Sequence, residues 1–90
     1  MAYLDINDFA HTTKNAAGVI DGALLMQLGM RSALGRDCAV DLVAAHMYFN
    51  LADRKGVDGA AAQRQDVAAD MSKAEIAAAL RAARDWLTRH

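Results

Sequence analysis

The side chains that most often carry out chemistry, three histidines and one cysteine, are widely spaced in this sequence of 90 residues. A helical zinc site needs a second ligand three or four residues after the first, and His46 has no His, Cys, Asp or Glu at either position. His11, His90 and Cys38 complete no ligand spacing either. We therefore predict no metal site and no cofactor. We interpret His46 as an ordinary, partly exposed side chain, and Cys38 as a small hydrophobic residue with a reactive thiol as the alternative.

Patterns typical of catalysis are also missing from the sequence. The glycine-containing stretches 35–37 and 56–59 lack the Gly-Lys-Ser/Thr ending of a phosphate-binding loop. No Ser/His/Asp arrangement and no pair of carboxylates suited to acid–base chemistry occurs. We predict that the protein is not an enzyme and has no catalytic residues; an enzymatic alternative would need a cleft built from His11, Asp37 or His46.

Composition predicts a single all-helical domain. Hydrophobic residues make up 54% of the chain but aromatic residues only 6%, and much of the difference is alanine, the best helix former. The chain has no proline to interrupt a helix. A net charge of −1 does not favour a nucleic-acid partner, and no apolar run is long enough to span a membrane. The single cysteine and the lack of a signal peptide predict a cytoplasmic protein.

Capping residues and glycines predict about five helices. A polar residue able to accept hydrogen bonds from free backbone N–H groups starts each helix, and glycine ends three of them. The predicted helices are, in chain order, an N-terminal helix that starts at Asp5 or Asn7, helix A from Asp21 to Leu34, helix B from Asp41 to Lys55, a third helix from Asp58 to Asp70, and a last helix that starts at Ser72.

Helices A and B carry the features expected of a tightly packed hairpin. Gly29 lies in the middle of helix A, where glycine costs up to about 1 kcal/mol relative to alanine, so we expect a close backbone crossing with the facing helix there. On helix B the apolar positions recur with helical spacing and define one packed face. Those positions are Leu42, Ala45, Phe49 and Ala52, and Tyr48 widens the face.

The last helix is predicted from its first turn and its apolar stripe. Ser72 and Glu75 have the spacing of a capping box, in which each side chain satisfies the backbone N–H group of the other residue. The predicted packed stripe consists of Ile76, Leu80, Ala83 and Leu87, with Trp86 beside it.

The spacing of these residues resembles that of a known repeat family. The residues that carry the likeness are Leu28-Gly29, Gly35, Asp41, Ala45, Tyr48-Phe49, Ala52, Gly56 and Ala60. In order and spacing they are similar to the Sel-one-like repeat family, a relative of the tetratricopeptide repeats, and the likeness covers roughly residues 23–86. The chain departs from the family pattern at Ser32, Asp37 and Cys38, where the family has tyrosine, glycine and valine.

The resemblance implies an antiparallel helix-hairpin repeat of the alpha-alpha superhelix type in a small, stand-alone bacterial protein. It also implies a protein–protein adaptor without catalysis. Within the single domain 1–90 we expect an N-terminal capping helix in 1–20, a full repeat in 21–56, a partial second repeat in 57–70 and a C-terminal capping helix in 71–90. About three repeats are usually needed for stability, so the terminal helices would act as caps.

Two functional hypotheses follow from the sequence. In the first, the protein is a regulatory adaptor that binds a peptide or protein partner in a groove between helix A and the third helix. The groove residues are Met26, Gln27, Met30 and Arg31 on helix A and Gln63, Arg64 and Val67 on the third helix. In the alternative for these positions, the methionines pack in the core and Arg64 is simply solvated. In the second hypothesis, the protein is a structural module that forms a homodimer through Phe9, Trp86 and Leu87 of its terminal helices.

Overall fold

The computed structural model describes residues 21–89, and every regular element in this part of the chain is an α-helix. The predicted all-α fold is therefore confirmed. The predicted N-terminal helix, including Phe9 and His11, lies outside the described residues, as does His90. The four described helices are α1, Gly22–Leu34; α2, Leu42–Arg54; α3, Ala60–Ala68; and α4, Lys73–Arg89.

Side-chain caps and a left-handed turn define the α1–α2 hairpin. Asp21 caps α1 by accepting a hydrogen bond from the backbone N–H of Ala23 at 2.9 Å. Asp41 caps α2 in the same way, accepting from the N–H of Ala44 at 3.0 Å. Gly35 ends α1 with φ of +72°, a conformation that costs glycine little because it has no Cβ. These residues play the capping roles predicted for them.

The turn between α1 and α2 contains Asp37 at the position where glycine was expected from the resemblance. This residue has φ of +60°, in the left-handed region that aspartate tolerates better than most residues. Farther on, the backbone N–H of Asp41 donates to the carbonyl of Ser32 at 2.9 Å and closes the turn. The chain therefore keeps the hairpin geometry without a second turn glycine.

The N-cap of the third helix lies one residue after Asp58, near which the helix was predicted to start. The helix begins at Ala60, and its N-cap is Gly59, whose φ is +86° and which has no side chain to form a capping bond. Because Gly59 is left-handed, the helical conformation cannot extend back to Asp58. The preceding helix ends as expected: Gly56 N–H donates to the Asp53 carbonyl and Val57 N–H to the Ala52 carbonyl, which reverses the chain direction.

The capping box at the start of α4 is confirmed. The backbone N–H of Ser72 donates to Glu75 Oε1 at 2.8 Å, and the N–H of Glu75 donates to Ser72 Oγ at 3.0 Å. Each bond satisfies a donor that the helix itself leaves without a partner. The first turn of α4 is therefore stabilised by local bonds, independently of the contacts that the helix makes with the rest of the protein.

The closest contact in the α1–α2 hairpin joins Gly29 and Phe49. A Cβ atom added to Gly29 would lie 2.6 Å from Cε1 of Phe49, which is closer than real Cβ contacts allow. Both residues are buried, and Phe49 is fully buried. The facing helix therefore contacts α1 at Gly29 as predicted, but the ring of Phe49 makes this contact, whereas we expected a close approach of the facing backbone.

α2 is the central helix, since α1, α3 and α4 each pack mainly against it. One buried cluster combines residues of all four helices, namely Leu25, Leu51, Ala52, Ala60 and Ala83. The other consists of Ala45, Phe49 and Val67, with Met26 and Met30 packed against it. Four of the eight buried residues in these clusters are alanines, whose small side chains let helices pack closely.

The packed stripe predicted for α4 is wrong in part. Ala79 and Ala83 are the buried residues of this helix, whereas Leu80 and Leu87 are 43% and 46% exposed. The observed buried face of α4 is rotated from the predicted one towards the alanines, because alanine lets α4 lie closer to α2 than leucine would. Trp86 lies at one edge of the contact between α4 and α2. The centroid of its ring is 6.3 Å from that of the Tyr48 ring, in an edge-to-face arrangement.

Replacement of Gly29 by alanine tests the central hairpin contact. Alanine would improve intrinsic helix propensity by up to about 1 kcal/mol, but its Cβ must displace the buried Phe49 ring. Overpacking of this kind costs about 1–3 kcal/mol, so we expect Gly29→Ala to lower the free energy of unfolding measured by urea denaturation.

A second variant makes this result specific to the contact. In a Phe49→Leu background Cε1 and Cζ, two of the three atoms nearest the new Cβ, are absent, so Gly29→Ala should cost less than it does in the wild type. An equal cost in both backgrounds, or a gain of stability in the wild-type background, would contradict the proposed role of Gly29.

Candidate functional site

Four of the seven predicted groove residues lie together on the surface of α1. Met26, Gln27, Met30 and Arg31 line a shallow, mainly apolar depression of about 300 Å³, and Arg36 of the following turn completes it. Both methionines are half-buried and also pack against the second core cluster. The two interpretations of these methionines are therefore compatible, because each residue contacts the core and still presents part of its surface.

The depression has a positively charged rim. Arg31 and Arg36 both line it, and none of its lining residues is acidic. Arg31 Nη2 lies 3.8 Å from Asp37 Oδ2, but the two side chains are 53% and 84% exposed. An ion pair so open to water contributes little free energy, so Arg31 can exchange this partner for another anion at small cost.

Sequence reasoning missed Arg36 as part of this surface. Gly35, the residue before Arg36, is the feature of the sequence that indicates this position. After Gly35 the chain reverses, and the N–H groups of Gly35 and Arg36 both donate to the carbonyl of Arg31. This reversal returns Arg36 to the end of α1, beside the side chains that were chosen by helical spacing alone.

The three predicted residues of the third helix lie elsewhere. Val67 is buried against Phe49 and Ala45 and belongs to the core. Arg64 Nη1 donates to Asn50 Oδ1 at 3.3 Å and to Asp53 Oδ2 at 3.1 Å, so this side chain holds α3 to α2. Gln63 is half-buried and lines neither of the two described depressions. Arg64 and Val67 share the helical face of the buried Ala60, which explains why they turn towards α2.

His46 is buried, contrary to the sequence-based interpretation. Only 4% of its surface is exposed, and its Nδ1 atom has no hydrogen-bond partner within residues 21–89. Burial lowers the pKa of the imidazole below its ordinary value of 6.5, and the positive charge of Arg64 lowers it further. The neutral ring is therefore the form that the folded protein favours.

Cys38 is exposed in the α1–α2 turn, so its interpretation as a packed hydrophobic residue is wrong. Its Sγ atom lies 3.7 Å from the carbonyl oxygen of Arg31. In the described part of the chain, no three His, Cys, Asp or Glu side chains come together in a group that could hold a metal ion.

The structure separates the residues chosen for self-association. Trp86 is half-buried against Tyr48, whereas Leu87 is exposed on another side of α4. Phe9 lies outside the described residues. Trp86 therefore helps to attach α4 to α2, and Leu87 presents apolar surface to solvent.

Comparisons with known proteins add no identification. No protein-family model matches this chain, and neither the curated proteins nor the solved structures yielded a match to it. Within residues 21–89, no helix combines the length and apolarity needed to cross a membrane.

The buried imidazole predicts a specific pH dependence of stability. The pKa of His46 is lower in the folded protein than in the unfolded chain, so the unfolded chain takes up the proton first as the pH falls. The contribution of neutral His46 is complete above about pH 6.5 and declines below it. We expect urea denaturation to show a lower free energy of unfolding at about pH 5.5 than at about pH 7.5.

The control for this prediction is His46→Leu. Leucine has a similar volume, does not titrate and leaves no buried nitrogen without a partner, so the variant should keep its stability at neutral pH. Its loss of stability between the two pH values should be clearly smaller than that of the wild type. The same loss in both proteins would show that other groups cause the pH dependence.

Proposed function

We propose that this chain is a regulatory adaptor that binds a peptide or protein partner through the α1 surface. The observation that carries the proposal is the depression formed by Met26, Gln27, Met30, Arg31 and Arg36, an apolar floor beside two exposed arginines. Methionine and arginine are both enriched in protein interfaces, where flexible thioether chains adapt to a partner and guanidinium groups form paired hydrogen bonds.

The shape of the depression favours a macromolecular segment over a small metabolite. Pockets for small molecules usually enclose most of the ligand, whereas this surface is shallow and open to solvent. A peptide can lie along α1 with an apolar side chain against the methionines and a carboxylate near the arginines. Such a carboxylate would replace the weak, exposed contact between Arg31 and Asp37.

The proposal includes membership of the Sel-one-like repeat family. It is supported by the capped α1–α2 hairpin, by the Gly29–Phe49 contact, and by α3, which packs against α2 like the first helix of a following repeat. A cytoplasmic location is proposed with it. The exposed thiol of Cys38 suits a reducing compartment, in which it would not be oxidised to a disulfide.

The test is quantitative affinity capture with the wild-type chain and the variant Met30→Ser/Arg31→Glu. The variant removes one apolar side chain and reverses one charge at the depression. We expect it to lose about tenfold or more of the capture of the specific partner, since few residues usually dominate an interface. Helicity measured by circular dichroism should be unchanged, because neither side chain belongs to the fully buried core.

A matched control keeps the result interpretable. The variant Val40→Ser/Arg81→Glu also removes an exposed apolar side chain and reverses an exposed arginine, but neither residue lines the α1 depression. Capture should persist with this control. If the partner were lost equally with both variants, or with neither, the α1 surface would not be its binding site.

A further inference from the structure

A second depression lies between α2 and α4 and shares no residue with the one on α1. It has a volume of about 380 Å³. Its two leucines, Leu80 and Leu87, are the large exposed apolar residues of α4. The lining residues are Asn50, Arg54, Leu80, Ala83, Arg84 and Leu87.

The apolar part of this depression has the spacing of a helix–helix seam. Leu80, Ala83 and Leu87 follow one another at intervals of three and four residues, the pattern of successive core positions in a coiled coil. Ala83 is buried against α2, while the two leucines stand about 10 Å apart along the helix axis and remain accessible. α4 thus packs on α2 through its alanines and leaves a leucine seam for another helix.

The charges around the seam determine what kind of helix would fit. Arg84 lies between the two leucines on α4, and Arg54 faces them from the last turn of α2. Neither side chain pairs with a carboxylate within residues 21–89, and no acidic residue lines the depression. In coiled coils, charged residues beside the apolar seam select the partner, so two unpaired arginines favour an acidic helix.

The same charges disfavour a second copy of this chain. A homodimer with two-fold symmetry brings the same patch of both copies together. If two seams met in antiparallel orientation, Leu80 would face Leu87 of the other copy, and Arg84 would face Arg84. Like charges placed together in this way oppose association.

We propose that the Leu80–Leu87 seam docks an acidic amphipathic helix of a partner protein. Leucines of the partner pack between Leu80 and Leu87, and flanking glutamates or aspartates pair with Arg54 and Arg84. This inference goes beyond the function proposed for the α1 surface. With both surfaces occupied, the chain would connect two partners.

The experiment uses a synthetic, fluorescently labelled peptide of about three heptads, with leucine at the core positions and glutamate beside them. Fluorescence anisotropy measures its binding, at trace concentration, to the full chain. We expect saturable binding that weakens as salt is added. Leu80→Ser/Leu87→Ser should weaken binding about tenfold or more while circular dichroism stays unchanged, because both side chains are exposed.

A peptide and a protein variant of reversed charge distinguish specific binding at the seam from nonspecific adsorption. A control peptide with lysine in place of glutamate should bind the wild type at least about tenfold more weakly than the acidic peptide does. The variant Arg54→Glu/Arg84→Glu should reverse this preference. The α1 variant Met30→Ser/Arg31→Glu leaves the seam intact, so it should retain the part of the binding that Leu80→Ser/Leu87→Ser abolishes, and failure at one surface is distinguishable from failure at the other.

Three results would overturn the proposal. One is the absence of saturable binding of the acidic peptide. Another is equal binding to the wild type and to Leu80→Ser/Leu87→Ser. The third would come from sedimentation velocity of the chain alone: a wild-type dimer that the leucine variant converts to monomer would assign the seam to a second copy.

Discussion

The contact between Phe49 and Gly29 is the constraint on which the arrangement of the described helices depends. The fully buried ring occupies the space that a side chain on α1 would fill, and this sets how closely α1 and α2 approach. From the same helix, Ala52 contacts α3 and α4 through Ala60 and Ala83. Because Phe49 and Ala52 both lie on α2, this one helix contacts each of the other described helices.

Alanine-rich packing has a consequence for the surface. An alanine contact buries little area, but it brings helix axes close and leaves the larger side chains at the margins of the interface. Leu80 and Leu87 lie at such a margin of α4 and are exposed. On α1 the buried residues are Leu25 and Gly29, and Met26 and Met30 beside them are partly exposed. In a small domain such margins offer apolar surface to a partner without disrupting the core.

Arginine gives both surfaces a common electrostatic character in a chain whose net charge is only −1. Arg31 and Arg36 line one depression, and Arg54 and Arg84 line the other, without an acidic residue in either lining. Asp21 and Asp41 instead cap helices, and Asp53 holds two helices together through Arg64. Asp37, which lines neither depression, forms an exposed ion pair with Arg31. A chain that is nearly neutral overall thus carries local positive charge at both depressions.

Local chemistry in the sequence determined the all-helical fold, the caps at Asp41 and Ser72, and the turn at Gly35, because these features depend on residues within one turn of each other. It also placed Met26, Gln27, Met30 and Arg31 on one surface by helical spacing. Only the tertiary structure decided that His46 is buried, that Val67 and Arg64 turn towards α2, and that Leu80 and Leu87 face outward. Helical periodicity shows which residues share a face, but the rotation of that face depends on how closely neighbouring helices approach.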